Sequence, residues 1–300
     1  MFETVHHNYF LTIIINNSLD GTKEYLDNLN IPSFCEKVTI IHNSNNLGAG
    51  AAINQGHKVS DKFNIKYTCL CNNDLYFQDI WLKSLESCME SDNLIGILGT
   101  LRPATEVTHH TLNKSTKEVV DSISLDLSIT KELEVFQGRF DFEETCKKII
   151  IKNGGGIETL RCPPNAVITC CALVRTNVTD RIDLLSDPQF EIYGSEDLDL
   201  SWRLQEAGYK CVILKDVYTH HFRHQSITDS NLDRDKILLK NNIKFFNKWD
   251  NKILLFLNKE RQNGVDIDKQ MSSLGDAEYL FLRMINDKVD FMLKYEGIKK

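Results

Sequence analysis

At 300 residues, 42% hydrophobic and 26% charged, the chain has an ordinary globular composition, long enough for one large domain or two small ones. Its 35 Lys and Arg against 42 Asp and Glu leave a formal net charge of −7, which excludes broad electrostatic capture of nucleic acid or of an anionic membrane, though not a local basic patch. No stretch approaches the ~20 apolar residues that cross a bilayer, and the opening MFETVHHNYF lacks the apolar core of a secretory signal, so the nine cysteines are expected to be reduced in a cytoplasmic protein.

FLTIII (10–15) reads as a strand, followed by a helix near 21–30, a strand VTIIH (38–42), a helix near 49–60 and a strand YTCLC (67–71). Short β-branched runs alternating with helical stretches predict parallel strands joined by helical crossovers, an α/β sheet covered on both faces. Ligands in such sheets gather at the carboxyl ends of strands. Three of these ends carry polar clusters, at 16–22, 43–50 and 72–74. After IGILGT (95–100) the pattern weakens, and 102–160 reads as an irregular insertion with an amphipathic stretch around 131–150 and a triple glycine at 154–156. AVITCCALV (166–174) resumes the strands, a loop leads into a helix closed by Gly208, and KCVIL (210–214) is another strand. From 231 onward the chain reads as helical, with apolar spacing in KILLKNNIKFFNKW and AEYLFLRMINDKVDFML. Core-facing stripes account for that spacing, and lysine-flanked aromatics also suit a peripheral membrane contact. Cys69 with Cys71, and Cys170 with Cys171, lack the two-residue spacer of zinc sites and read as buried structural thiols.

Four segments have residues suited to chemistry. NLGAGAAINQG follows a strand and partly matches the glycine-rich turn beneath a dinucleotide's phosphates, with Gly48 and Gly50 in place but Ile53 at the third glycine; a plain tight turn into a helix is the other reading. CLCNNDLYF runs an apolar strand into Asn72, Asn73 and Asp74 ahead of a helix expected near Gln78. A carboxylate there binds a hard cation or caps that helix. In GSEDLDLSWRLQEAGY, Glu196, Asp197 and Asp199 crowd the start of a helix. The helix dipole favours acids there, yet mutual repulsion raises at least one proton affinity, as a general base requires. YTHHFRHQS carries His220, His221 and His224, at least two of them expected to be spectators.

Read in order, these segments resemble family 2 glycosyltransferases of the GT-A fold, particularly the rhamnosyltransferase-like branch. NNSLDGT, NLGAGAAIN, CNND, TCCALVR, DPQF, EDLDLSWRLQEAGY and a histidine after the next strand match that branch over roughly residues 10–250. The resemblance implies a Rossmann-like, mostly parallel central sheet flanked by helices, with a C-terminal helical extension. It divides the chain into a nucleotide-sugar-binding and catalytic domain at 1–230, containing the 102–160 insertion, and a helical region at 231–300.

It also implies site roles. Asp74, last of the D-x-D-like Asn72-Asn73-Asp74, would bind Mn2+ or Mg2+, with His220 as a second metal ligand. Asn46, Gly48 and Asn54 would lie near the nucleotide, and Trp202 and Arg203 would stand behind the base. Asp197 would deprotonate the acceptor hydroxyl, with Glu196 and Asp199 positioning acceptor or helix. The implied partners are a nucleoside-diphosphate sugar and a glycan or other hydroxyl acceptor, with no nucleic acid; the oligomeric state is not implied. This chain departs from the family at Ile15 or Asn16, where an acid contacting the base is expected and Asp20 is the candidate substitute. It departs again at Asn72, which replaces the first carboxylate of the D-x-D. The rival from another class is a catalytically silent carbohydrate- or nucleotide-binding protein of the same fold. A nucleotidyltransferase is disfavoured because NLGAGAAINQG has no basic residue for a phosphate loop.

Overall fold

The structure, a computed structural model, describes residues 4–102, 139–163, 165–222 and 233–266. The first unit is β1 (Tyr9–Asn16), α1 (Thr22–Asp27), β2 (Cys35–Asn43) and α2 (Ala49–Lys62). β1 and β2 run parallel and end level, Asn16 opposite Asn43. There follow β3 (Tyr67–Cys71), β4 (Leu75–Phe77), α3 (Trp81–Ser91), β5 (Ile95–Leu101), α4 (Arg139–Lys152), β6 (Ile157–Leu160), β7 (Cys171–Arg175) and α5 (Thr179–Ile182). The chain continues through α6 (Glu196–Glu206), β8 (Lys210–His221) and the long α7 (Arg234–Gln262).

The larger sheet has the order β3-β7-β5-β8-β4, with β6 also paired to β8. Side chains alternate between its faces as the pleat requires. Ile97, Ala172, Val174, Cys211 and Ile213 point into one core with Trp202 of α6 and Phe245, Trp249, Ile253 and Phe256 of α7. Leu98, Cys171, Leu173, Val212 and Leu214 point into a second core with Trp81, Leu85, Cys88 and Met89 of α3. The expected α/β architecture, a central sheet flanked by helices, is therefore present.

Its strand directions differ in proportion from the expectation. β1–β2 and β5–β8 are parallel, while β3–β7, β5–β7, β4–β8 and β6–β8 are antiparallel. The apolar runs IGILGTL and CALVR are buried at every position because helices cover both faces, and that burial does not depend on strand direction.

Two short strands, β4 and β6, were not expected from the sequence. LYF pairs with β8, so the helix expected near Gln78 starts instead at Trp81. β8 is longer than KCVIL because it continues past an irregularity: Thr100 pairs with Leu214, but the next residue, Leu101, pairs with Tyr218. Asp216 lies in the segment skipped by this pairing, and its carboxylate accepts the amide of Gly156 at 2.8 Å. That contact accounts for the triple glycine: all three residues have positive φ, and a Cβ on Gly155 would stand 2.6 Å from the same carboxylate oxygen.

The amphipathic stretch at 131–150 corresponds in part to α4, and the 103–138 portion of the insertion lies outside the described residues. So does AEYLFLRMINDKVDFML, whereas KILLKNNIKFFNKW lies within α7, its Phe245 and Trp249 facing the core. All nine cysteines are free thiols, six of them buried. No helix among the described residues is long and apolar enough to cross a membrane.

Candidate active site

The first polar centre is assembled by strand pairing. β3 stops at Cys71, and Asn72 donates its amide to Cys170 O at 2.8 Å. Asn73 is exposed, and Asp74 leads directly into β4. There the register places Leu75 opposite His221 and Tyr76 opposite His220. His221 Nε2 comes within 3.0 Å of Asp74 Oδ1 and 3.2 Å of Asn72 Nδ2. Asp74 Oδ1 is shielded from solvent and takes no hydrogen bond: its contact with the imidazole is close but not aligned as one.

His220, the histidine expected beside Asp74, points to the opposite side of the strand. It is buried, with Nδ1 3.1 Å from the Tyr218 hydroxyl and its ring edge-on to Phe222. Successive side chains of a strand alternate, so only one of the two adjacent histidines can face Asp74. His224 lies outside the described residues. Asp74 and His221 are the residues here that could hold a cation. Among the described residues no three or more His, Cys, Asp and Glu gather as a metal site, so an ion would complete its shell from water or a bound anion.

The second centre opens α6, and its three carboxylates serve three different ends. Asp199 is fully buried and structural: Oδ2 accepts Arg203 Nε at 2.7 Å, while Oδ1 meets Trp249 Nε1 at 2.9 Å and Lys248 Nζ at 2.6 Å. Arg203 then donates to the carbonyls of Ile182, Leu184 and Leu185. Trp202 is buried with its indole N–H on Asn165 O. Asp197 Oδ1 accepts both the amide and the hydroxyl of Thr169, which fixes the carboxylate toward the start of β7. Glu196 is 8% exposed, and its Oε2 is buried with no hydrogen-bond partner. Burial first, and the charge of Asp197 second, push its carboxyl up to about 8.

The glycine-rich turn is occupied by the protein's own chain. Ala49 N donates to Ile192 O at 2.9 Å, and a Cβ on Gly48 (φ 86°) would stand 2.5 Å from Ile192 Cα. Asn46 Oδ1 accepts Gly48 N, closing the turn locally. Asn54 exchanges two hydrogen bonds with the backbone of Ser186, at 2.7 and 2.9 Å. Close approach of the loop at 186–192 thus explains Gly48 and Asn54, while Asn46 holds the turn that meets it. Asp20, the candidate base contact, is exposed and caps its own turn by accepting from the hydroxyl and amide of Thr22.

Sequence reasoning missed Thr169 and His221. The second was signalled by strand alternation in YTHH; Thr169 carried no signal, because the partner of Asp197 comes from the turn before β7, distant in sequence.

The model of the family described as Glycosyl transferase family 2 matches residues 5–174. The chain belongs to this family. The match includes the glycine turn and Asp74 of this family 2 chain, while Glu196, Asp197 and His221 lie beyond it. Among solved structures the chain is similar to one described as "Crystal structure of GalNAc-T7 with UDP, GalNAc and Mn2+", with a TM-score of 0.51 and 11% identity over 96% of this chain and 58% of that one. That likeness is one of fold, the GT-A fold, and the family 2 chain spans little more than half the length of that structure. No curated protein matches the sequence.

Proposed function

We propose that this family 2 chain is an inverting glycosyltransferase. It moves a hexose or deoxyhexose from a nucleoside-diphosphate sugar to a hydroxyl of a glycan or other acceptor, with Mn2+ or Mg2+ held by Asp74 and His221. The observation that carries this reading is the buried Asp74 Oδ1, which takes no hydrogen bond 3.0 Å from an imidazole nitrogen. Such a carboxylate–imidazole pair is a fitting donor set for a divalent ion. The ion's chemistry is to offset charge on the departing diphosphate. UDP and Mn2+ accompany the similar solved structure, in keeping with that assignment. The rhamnosyltransferase-like motif order supports a deoxyhexose among the candidate sugars.

The two carboxyls at the start of α6 divide the proton work. Glu196 already holds a proton at neutral pH and cannot accept another, so Asp197 is the acceptor. The acceptor oxygen bonds to the anomeric carbon, the bond to the diphosphate oxygen breaks with its electron pair leaving on the diphosphate, and the hydroxyl proton passes to Asp197. A single in-line displacement inverts the configuration. Thr169 keeps Asp197 in place by two hydrogen bonds to one oxygen.

The test is a thermal-shift screen against UDP, GDP, CDP and dTDP and their common sugars, each with and without Mn2+, since a ligand that binds the folded state raises its apparent stability. A metal-dependent rise with one nucleotide is expected and names the base. No rise with any of them would shift the reading to a catalytically silent protein of the same fold.

A further inference from the structure

The loop that delivers Glu196 and Asp197 has no regular structure, and its backbone is strained. Ile192, Gly194 and Ser195 have φ of 58°, 100° and 74°, in the left-handed region that a β-branched isoleucine strongly disfavours. Such conformations persist only where the surroundings over-determine them. On one side Ala49 of α2 holds Ile192 O. On the other side, α7 supplies two adjacent asparagines.

Asn241 is fully buried, and its amide group serves three backbone groups. Nδ2 donates to Glu191 O at 2.8 Å and Tyr193 O at 2.9 Å, while Oδ1 accepts Glu191 N at 3.3 Å. Asn242 Oδ1 accepts the Ser195 hydroxyl at 3.0 Å. The carbonyls bracketing Ile192 and the side chain just before Glu196 are thus all tied to one turn of α7. Lysines reinforce the tie, Lys240 and Lys244 engaging the Glu191 carboxylate and Lys244 also reaching Gln189 O. Only an amide provides both donors and an acceptor in a side chain this short; aspartate would lack the donors and leucine all three groups.

We infer that Asn241 and Asn242 are positioning residues of the transfer reaction, setting the backbone of 191–195 and through it the placement of Glu196 and Asp197. The inference rests on the transferase reading, and both residues lie beyond the 5–174 family match. It separates two functions in the molecule. The Asp74–His221 centre is built by strands, so donor binding is independent of this tie, whereas proton acceptance depends on it.

The other charged groups near the loop are accounted for. Lys240 and Lys244 pair with Glu191, and Lys248 with Asp187 and Asp199, leaving Asp197 as the charge acting on Glu196 among the described residues. A displaced loop would let water reach Glu196 and lower its titration, a change that lost packing elsewhere would not produce.

Asn241→Asp keeps the shape and loses both donors; Asn242→Ala removes the acceptor for Ser195. The expected result for each is a kcat lower by roughly 10²-fold at a donor KM within about twofold of wild type, because misplacement of about 1 Å costs that much. In Asn242→Ala, which adds no charge, the Glu196 carboxyl should also titrate at lower pH in carboxyl NMR. Unchanged kcat in both folded variants, or kcat and donor affinity falling together, overturns the inference. Should Asn241→Asp fail to fold, Asn242→Ala decides alone. Should the wild type transfer no sugar, carboxyl NMR of Glu196 in wild type and in the charge-neutral Asn242→Ala still decides: a lowered titration supports the tie, and an unmoved or raised one overturns it.

Discussion

Asp74 and Glu196 are both shielded carboxyls with one oxygen that meets no hydrogen-bond donor, and they differ in what stands next to them. Asp74 has the imidazole of His221 at 3.0 Å, a neighbour that on the proposed reading would share a cation with it. Glu196 has the carboxyl of Asp197, a neighbour that repels a second negative charge and keeps a proton in the pair. On the proposed reading, one functional group is turned to opposite uses by its surroundings: ion binding at a strand end, proton storage at a helix start.

The sharpest way to break this comparison is Asp197→Asn, which keeps the shape but removes the proton acceptor. Turnover should fall by about 10³-fold with donor affinity nearly intact; turnover close to wild type would show that the proton goes elsewhere. The strand-end centre should respond in the other way. Asp74→Ala and His221→Ala should each abolish the Mn2+-dependent part of nucleotide binding in calorimetry, whereas His220→Ala should keep it and instead lose roughly 2 kcal/mol of stability as its core site empties. A Mn2+ response lost with His220 and kept without His221 would reverse the assignment of the histidines.

A pH-dependent effect is expected of Glu196→Gln, which replaces a neutral acid by a neutral amide. Between its ordinary value of 4.5 and about 8, native Glu196 retains a proton that the unfolded chain has released. Folding is therefore increasingly penalised as pH rises through that window. The difference in melting temperature, Glu196→Gln minus wild type, should be smallest near pH 4.5 and grow toward pH 8. A flat difference would place Glu196 in an ordinary solvated environment.

These strands were legible because they are spelled in short apolar runs, β-branched in the first two: FLTIII and VTIIH lie within β1 and β2, and YTCLC is the observed β3. Residue types at the site were legible too, since Asn72, Asp74, Glu196 and Asp197 stand where helix and strand ends put them. Orientation was not. Which histidine faces Asp74 depends on the pairing of β4 with β8, and β4 is too short to show a period of its own. Direction in the larger sheet was hidden because helices on both faces erase the alternation that marks antiparallel strands. The glycine turn was ambiguous for a related reason: Gly48 signals that something approaches closely, and only the fold shows that it is Ile192.

The packing of α7 has a practical consequence for trimming the protein. A fragment ending at residue 230, where the polar stretch after β8 offers an inviting cut, would leave Trp202 without Phe245 and Trp249, and Asp199 without the indole and ammonium groups that meet its Oδ1. A carboxylate that keeps Arg203 on one oxygen and loses both partners of the other is costly to keep buried. Such a shortened product would be recovered aggregated or without its helix-start geometry, and the smallest workable unit runs through α7.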